Sequence, residues 1–121
     1  MKAKDPSAVD IHAAIHDPAY CPLFAHAIEV VGRRWSGPIV KALLAGVRRF
    51  SEIESVIPGL SPKLLSERLR ELEAEGIVAR TVHAERPVRV EYTLTAKGRD
   101  LSRVIDAIEE WAGTWLAPTS A

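Results

Sequence analysis

The stretch Ser61-Pro62-Lys63-Leu64-Leu65-Ser66-Glu67-Arg68-Leu69-Arg70-Glu71-Leu72-Glu73-Ala74-Glu75-Gly76 decides the fold. It opens as a helix opens: the Ser61 hydroxyl can accept from an orphan amide of the first turn, and Pro62 sits where no donor is needed. Gly76 is the matching stop. Advancing each residue by about 100° around the axis gathers Leu65, Leu69 and Leu72 on one side. Lys63, Glu67 and Arg70 fall on the other side, with Ser66 beside them. One face can anchor the helix while the other offers donors and acceptors to a partner. Arg68 lies about 60° from the leucines, so it is expected to brace the helix against neighbouring acids.

Upstream, Pro58-Gly59 breaks a short segment in which Phe50, Ile53 and Ile57 recur at helical spacing. Two helices joined by a tight glycine-containing turn make a helix-turn-helix. Before them, Ser36 is expected to cap a helix that tolerates Pro38 in its first turn and buries Ile39, Val40, Leu43 and Leu44 before Gly46. Trp35 is expected to pack at the junction. Leu23, Phe24, Ala27, Ile28 and Val31 form an earlier helical stripe, opened by Cys21-Pro22 and closed by Gly32. Residues 1–20 read as a polar, alanine-rich extension compatible with a short helix over Ser7–His16, ended by Asp17-Pro18.

Downstream of Gly76 the period changes to near two. Val78, Arg80 and Val82 alternate with Ala79 and Thr81, and Val88, Val90, Tyr92 and Leu94 alternate with Arg89, Glu91 and Thr93. This predicts a two-stranded hairpin with a polar, basic tip at His83-Ala84-Glu85-Arg86-Pro87. Thr95 is expected to cap a long last helix on which Leu101, Val104, Ile105, Ile108, Trp111, Ala112 and Trp115 share a broad apolar face. That face exceeds what a small core needs, and predicts a homodimer interface at Leu101, Val104, Ile105, Ile108, Trp111 and Trp115. The expected fold is mainly α with a small β-hairpin (α+β): a winged helix-turn-helix domain over 21–117 with terminal dimerisation helices.

Charge supports a polyanionic partner. The chain of 121 residues is neutral as a whole, but residues 33–99 carry thirteen Lys and Arg against eight Glu, so the flanks are acidic. Basic residues concentrated in the middle of a small domain suit a phosphate-facing surface, because each neutralised phosphate releases counterions. Arg70, Lys63, Ser66 and Glu67 are expected to meet base edges and phosphates of double-stranded DNA, with the helix start at Ser61 and Pro62 attracting a phosphate. Arg86 and Arg89 on the wing are expected to reach flanking DNA, and Arg49, beside Arg48, the backbone.

These residues resemble the HxlR-type transcriptional regulators, winged-helix relatives of the MarR group. The resemblance runs from Cys21 to about Trp115. It rests on Cys21-Pro22, Val31-Gly32-Arg33-Arg34-Trp35, Arg49-Phe50-Ser51-Glu52-Ile53, the run from Pro58 to Val78, and Arg89-Val90-Glu91-Tyr92-Thr93-Leu94-Thr95-Ala96-Lys97-Gly98. The stretch before Cys21 is longer than the family pattern. The resemblance implies dimeric repressors or activators on palindromic, inverted-repeat operators, with terminal helices forming the interface; repression is the expected sign. It also implies that Cys21 can sense oxidants or electrophiles, as a cysteine at this position does in some members. As the chain's one cysteine, it could form a disulfide only between subunits or with a small thiol, or else be alkylated. The plainer role is a small buried residue at a helix junction.

Other function classes find less support. A thiol hydrolase on Cys21 would need a base, and His16 and His26, the close candidates in sequence, lie in no nucleophile motif. No glycine-rich phosphate loop, acidic dyad or metal-spaced His/Cys cluster is present, so neither catalysis nor a metal or other cofactor is expected. With no apolar h-region at the start, no run of roughly 18 apolar residues and a lone thiol, the expectation is a cytoplasmic protein without a membrane partner. A winged-helix module that binds only proteins and a regulator that answers a small-molecule effector without a thiol switch remain as alternatives.

Overall fold

The computed structural model describes residues 18–118. Helices α1 (Pro22–Val31), α2 (Ser36–Leu44), α3 (Phe50–Val56) and α4 (Pro62–Ala74) lead into strands β1 (Val78–His83) and β2 (Arg89–Leu94), then α5 (Ala96–Asp100) and α6 (Ser102–Trp115). The chain forms two compact units, Met1–Arg33 and Arg34–Ala121. The short helix expected over Ser7–His16 lies outside the described residues.

In the first unit, Cys21 is the N-cap of α1. Its Sγ accepts from the Phe24 N–H at 3.4 Å, Pro22 takes the first helical position, and the Gly32 N–H donates to the Ile28 carbonyl at 2.7 Å. The expected stripe is helical, yet Leu23, Phe24 and Ile28 are exposed.

The core of the second unit is built where the helical stripes converge. Ile39 from α2, Ile53 from α3, and Leu65 and Leu69 from α4 are fully buried, and Val40, Leu43, Ile57, Leu60, Leu72, Ile77, Val78, Leu94 and Ile105 close around them. Burial of a Leu or Ile side chain contributes about 1.5–3 kcal/mol, so this cluster is what fixes α4 in place. Two expectations are corrected on α2. Ser36 is the first helical residue, buried, and not the cap; Trp35 holds that position with a left-handed φ of 79° and no capping hydrogen bond from its side chain. The half-buried indole lies across the turn, with the Arg34 guanidinium 5.0 Å from its ring centroid. Leu44, the last residue of α2, is exposed, because the buried face ends at Leu43.

The expected single long last helix divides at Leu101. Thr95 caps α5, its Oγ1 accepting from the Gly98 N–H at 3.1 Å and donating back to the carbonyls of Gly76 and Ile77. Gly98 then passes so close to the chain after α4 that a Cβ there would meet the Ile77 carbonyl oxygen at 2.2 Å. Lys97 Nζ donates to the Glu75 carbonyl at 2.6 Å, satisfying an acceptor at the C-terminus of α4. Next along the chain, Asp100 accepts two hydrogen bonds from Arg103, which hold its carboxyl below the usual carboxylate value. A Lys41–Glu109 ion pair at 2.7 Å ties α6 to α2.

Candidate nucleic-acid interface

Helix α4 is presented by its start and its buried face. The Ser61 hydroxyl accepts from the Leu64 N–H at 3.2 Å, as the sequence predicts for a cap, and Pro62 is the first helical residue. The preceding turn passes through Gly59 at φ 82°, a left-handed conformation that costs glycine little. A Cβ at Gly59 would also meet the Trp35 ring at 3.4 Å, so the turn is packed as well as bent.

Opposite the leucines, Lys63 and Arg70 are exposed, and Ser66 and Glu67 half-exposed. None of these four side chains makes an ion pair or hydrogen bond among the described residues. Arg68 behaves differently. It is buried, with Nε donating to the Arg34 carbonyl at 2.9 Å and Nη1 to Glu71 at 3.3 Å, so it braces α4 and is withdrawn from the outer face. Arg49, the N-cap residue of α3, is exposed and lies 4.0 Å from Glu52.

Strands β1 and β2 pair antiparallel from Val78↔Leu94 to His83↔Arg89, and β1 packs on α4. The chain before α3 joins the outer edge of this hairpin, because the Tyr92 N–H donates to the Arg48 carbonyl at 2.7 Å. At the tip Arg86 is exposed and makes no ion pair among the described residues. Arg89 is less available than its place in the sequence suggests. Its Nη2 donates to Glu85 at 3.3 Å, and its Nε, shielded from solvent, lies 3.1 Å from Glu91 Oε1 without the alignment of a hydrogen bond. Glu91 also meets His83 at 3.1 Å and Arg48 at 3.7 Å. This acidic hub went unread in the sequence; the signal available was that odd-numbered residues of both strands share a face, which brings Glu91 beside Arg89 and His83 once the register is known.

Of the six residues expected at a subunit interface, Ile108, Trp111 and Trp115 are 52%, 58% and 72% exposed. Val104, Ala107, Ile108 and Trp111 line an open groove edged by Arg103. Leu101 and Val104 are half-buried, whereas Ile105 is buried in the core of its own unit. Among the described residues no group of three or more His, Cys, Asp or Glu could hold a metal ion, and no helix is long and apolar enough to cross a membrane.

A capped second helix, backed by leucines, polar outward and followed by an antiparallel wing, defines a winged helix-turn-helix transcriptional regulator. The chain belongs to the HxlR-like helix-turn-helix family, whose model matches residues 30–120. Transcription regulators of this family bind DNA, a role without catalysis. The chain is 50% identical over 99 residues to the uncharacterized HTH-type transcriptional regulator YvaP of Bacillus subtilis, covering 82% of this chain and 92% of YvaP. It is 45% identical over 98 residues to the HTH-type transcriptional regulator YodB of the same organism, covering 81% and 88%. The reduced form of YodB superposes with a TM-score of 0.74 at 44% identity, over 83% of this chain and 98% of that one. The redox regulator HypR in its reduced form gives 0.72 at 35% identity, over 76% and 91%.

Proposed function

We propose that this chain is a homodimeric repressor that binds an inverted-repeat operator in double-stranded DNA through a functional domain spanning 21–117. The observation that carries the reading is the outer face of α4, where Lys63, Ser66, Glu67 and Arg70 make no ion pair or hydrogen bond among the described residues, on a helix fixed from behind by Leu65, Arg68, Leu69 and Leu72. Such a face is prepaid in entropy on its buried side and uncommitted on its exposed side, which suits insertion into a major groove. Arg70 and Lys63 then supply donors to guanine edges or phosphates, Ser66 and Glu67 complete the polar face, and the α4 start at Ser61 and Pro62 directs its dipole at the backbone. Arg49 contacts the backbone beside α3, and Arg86 and Arg89 contact DNA flanking the groove. In a two-fold dimer the two α4 helices enter successive major grooves about 34 Å apart. The exposed apolar residues Ile108, Trp111 and Trp115, with Leu101 and Val104 at their edge, supply the self-association surface, and Ile105 supports it from within.

The test is an electrophoretic shift at physiological salt on DNA from upstream of the chain's own gene and on duplexes recovered by selection from a random library. A specific shift with two-fold symmetric protection supports the reading. Failure on both sets would favour a winged-helix module that binds only proteins.

A thiol switch on Cys21 is the second reading. Its support is that YodB has been solved in reduced, diamide-treated and quinone-bound forms and HypR in reduced and oxidised forms. In this chain Cys21 is half-buried at the start of α1. Diamide would take two electrons and two protons from two thiols, joining Cys21 to a partner subunit's copy or to a small thiol; a quinone would alkylate Sγ. Loss of the shift on oxidation, its return with reductant and insensitivity of Cys21→Ser are the expected results. A shift indifferent to diamide and quinone would move the signal to a small-molecule effector.

A further inference from the structure

Arg89 is held by two carboxylates in unlike surroundings. The antiparallel register sets His83 opposite Arg89 and Thr81 opposite Glu91, so His83, Arg89 and Glu91 stand on one face of the hairpin. Glu91 Oε1 lies 3.1 Å from both Arg89 Nε and His83 Nε2, and its Oε2 lies 3.7 Å from Arg48 Nη1. Glu85 takes the other end of the same guanidinium, accepting from Nη2 at 3.3 Å. The Glu91 side chain is 15% exposed and the Glu85 side chain 58%. Sheltered from water and shared by two guanidinium groups and the His83 ring, the Glu91 contact is screened little. The Glu85 contact is a solvated surface pair, which other anions displace readily.

Resting on the operator-binding reading above, we propose that the two acids act on Arg89 in opposite senses. Glu91 is a positioning residue that holds the buried Nε end by ionic attraction at 3.1 Å, without an aligned hydrogen bond, and so aims the Nη groups outward. Glu85 stands in for a DNA phosphate, occupying Nη2 in the free protein and giving it up when DNA arrives. A guanidinium fixed at its Nε end loses little further freedom on binding a phosphate, whereas an unanchored arginine must be ordered at that moment.

Glu85→Gln and Glu91→Gln test this because each removes one unit of negative charge from the same wing. Were net charge alone at work, both would tighten binding. The expected result is opposite signs: Glu85→Gln tightens binding about threefold, and Glu91→Gln weakens it about fivefold with a salt slope shallower by about one phosphate contact. The probes are a duplex recovered by selection from a random library and a mixed-sequence duplex of the same length. In an Arg89→Ala background the effect of Glu91→Gln should vanish; its persistence there would assign Glu91 to holding the hairpin together and overturn the proposal. Should Glu91→Gln fail to fold, Arg89→Lys replaces it, because lysine has no counterpart of the Nε that stands beside Glu91. That variant should bind more weakly and gain nothing from Glu85→Gln, and a gain would overturn the proposal. Wild-type protein that binds neither duplex would overturn the operator reading itself, whereas wild-type binding with both glutamine variants tighter would overturn this proposal alone.

Discussion

Arg68 donates from Nε to the main-chain carbonyl of Arg34 at 2.9 Å, joining the middle of α4 to the turn that enters α2. The same guanidinium reaches Glu71 one turn along α4. Removing it leaves the Arg34 carbonyl short of a donor in a part-buried setting and deletes a charge-assisted hydrogen bond, worth about 1.5–3 kcal/mol. Arg68→Ala should therefore lower the urea midpoint by the equivalent of about 2 kcal/mol while the folded fraction keeps its DNA affinity. Unchanged stability with weakened binding would place Arg68 at the DNA instead.

That contact also shows where sequence reasoning stops. The angular position of Arg68 on the helical wheel already separates it from Lys63, Glu67 and Arg70, and its service to Glu71, three residues on, is local. Its partner Arg34 is 34 residues away, and no pattern in the chain announces the pairing. The same division runs through the molecule. The Ser61 cap, the Pro58-Gly59 break and the two paired strands follow local rules and appear close to where the residues put them, although burial along the strands does not alternate, His83 belongs to β1 and not to the tip, and Val88 lies outside β2. The Trp35 cap in place of Ser36 coincides with an indole packed beside Gly59, the break at Leu101 lies three residues beyond the close approach of Gly98 to Ile77, and the hub at Glu91 depends on strand register. Each of these involves a tertiary contact that a local preference does not announce.

Gly98 and Gly113 both sit in helices, where propensity alone favours replacement by Ala at either site by about 0.5–1 kcal/mol. The structure separates them. A Cβ at Gly98 would fall 2.2 Å from the Ile77 carbonyl oxygen, a backbone atom that cannot swing aside, while a Cβ at Gly113 meets nothing within 4 Å. Gly98→Ala should lower the thermal midpoint, at a cost of about 1–3 kcal/mol or more, and Gly113→Ala should raise it by about the propensity term. Equal shifts of the same sign would refute the close approach.

Trp111 is 58% exposed on the outward side of α6, beside Ile108 and a groove that includes Ala107. Aromatic side chains on exposed apolar faces dominate the energy of subunit contacts, and truncating one at the centre typically costs more than about 2 kcal/mol. Trp111→Glu should convert the species measured by light scattering from dimer to monomer at micromolar concentration, with the helical circular dichroism intact. Operator affinity should fall with it, since two half-sites no longer act together. A monomeric wild-type protein would refute the assignment of this face.

Arg70 and Arg89 carry the same charge but stand in different settings, and that difference predicts different losses. Arg70 projects from the outer face of α4 with no ion pair or hydrogen bond among the described residues, and a guanidinium there can bond a base edge through two donors; such pairs discriminate by about 1–3 kcal/mol. Arg89 lies on the wing between Glu85 and Glu91, and in the proposed function it meets phosphate, which all sequences present alike. Arg70→Ala should weaken binding to the selected duplex far more than to mixed-sequence DNA, narrowing the ratio of the two affinities about tenfold or more. Arg89→Ala should weaken both together, leave the ratio nearly intact and make the dependence of log affinity on log salt shallower by about one contact. Titrations of both duplexes at several salt concentrations read the two signatures separately. If the two variants behaved alike, α4 and the wing would share one role, and the division between a base-reading helix and a phosphate-binding hairpin would fall.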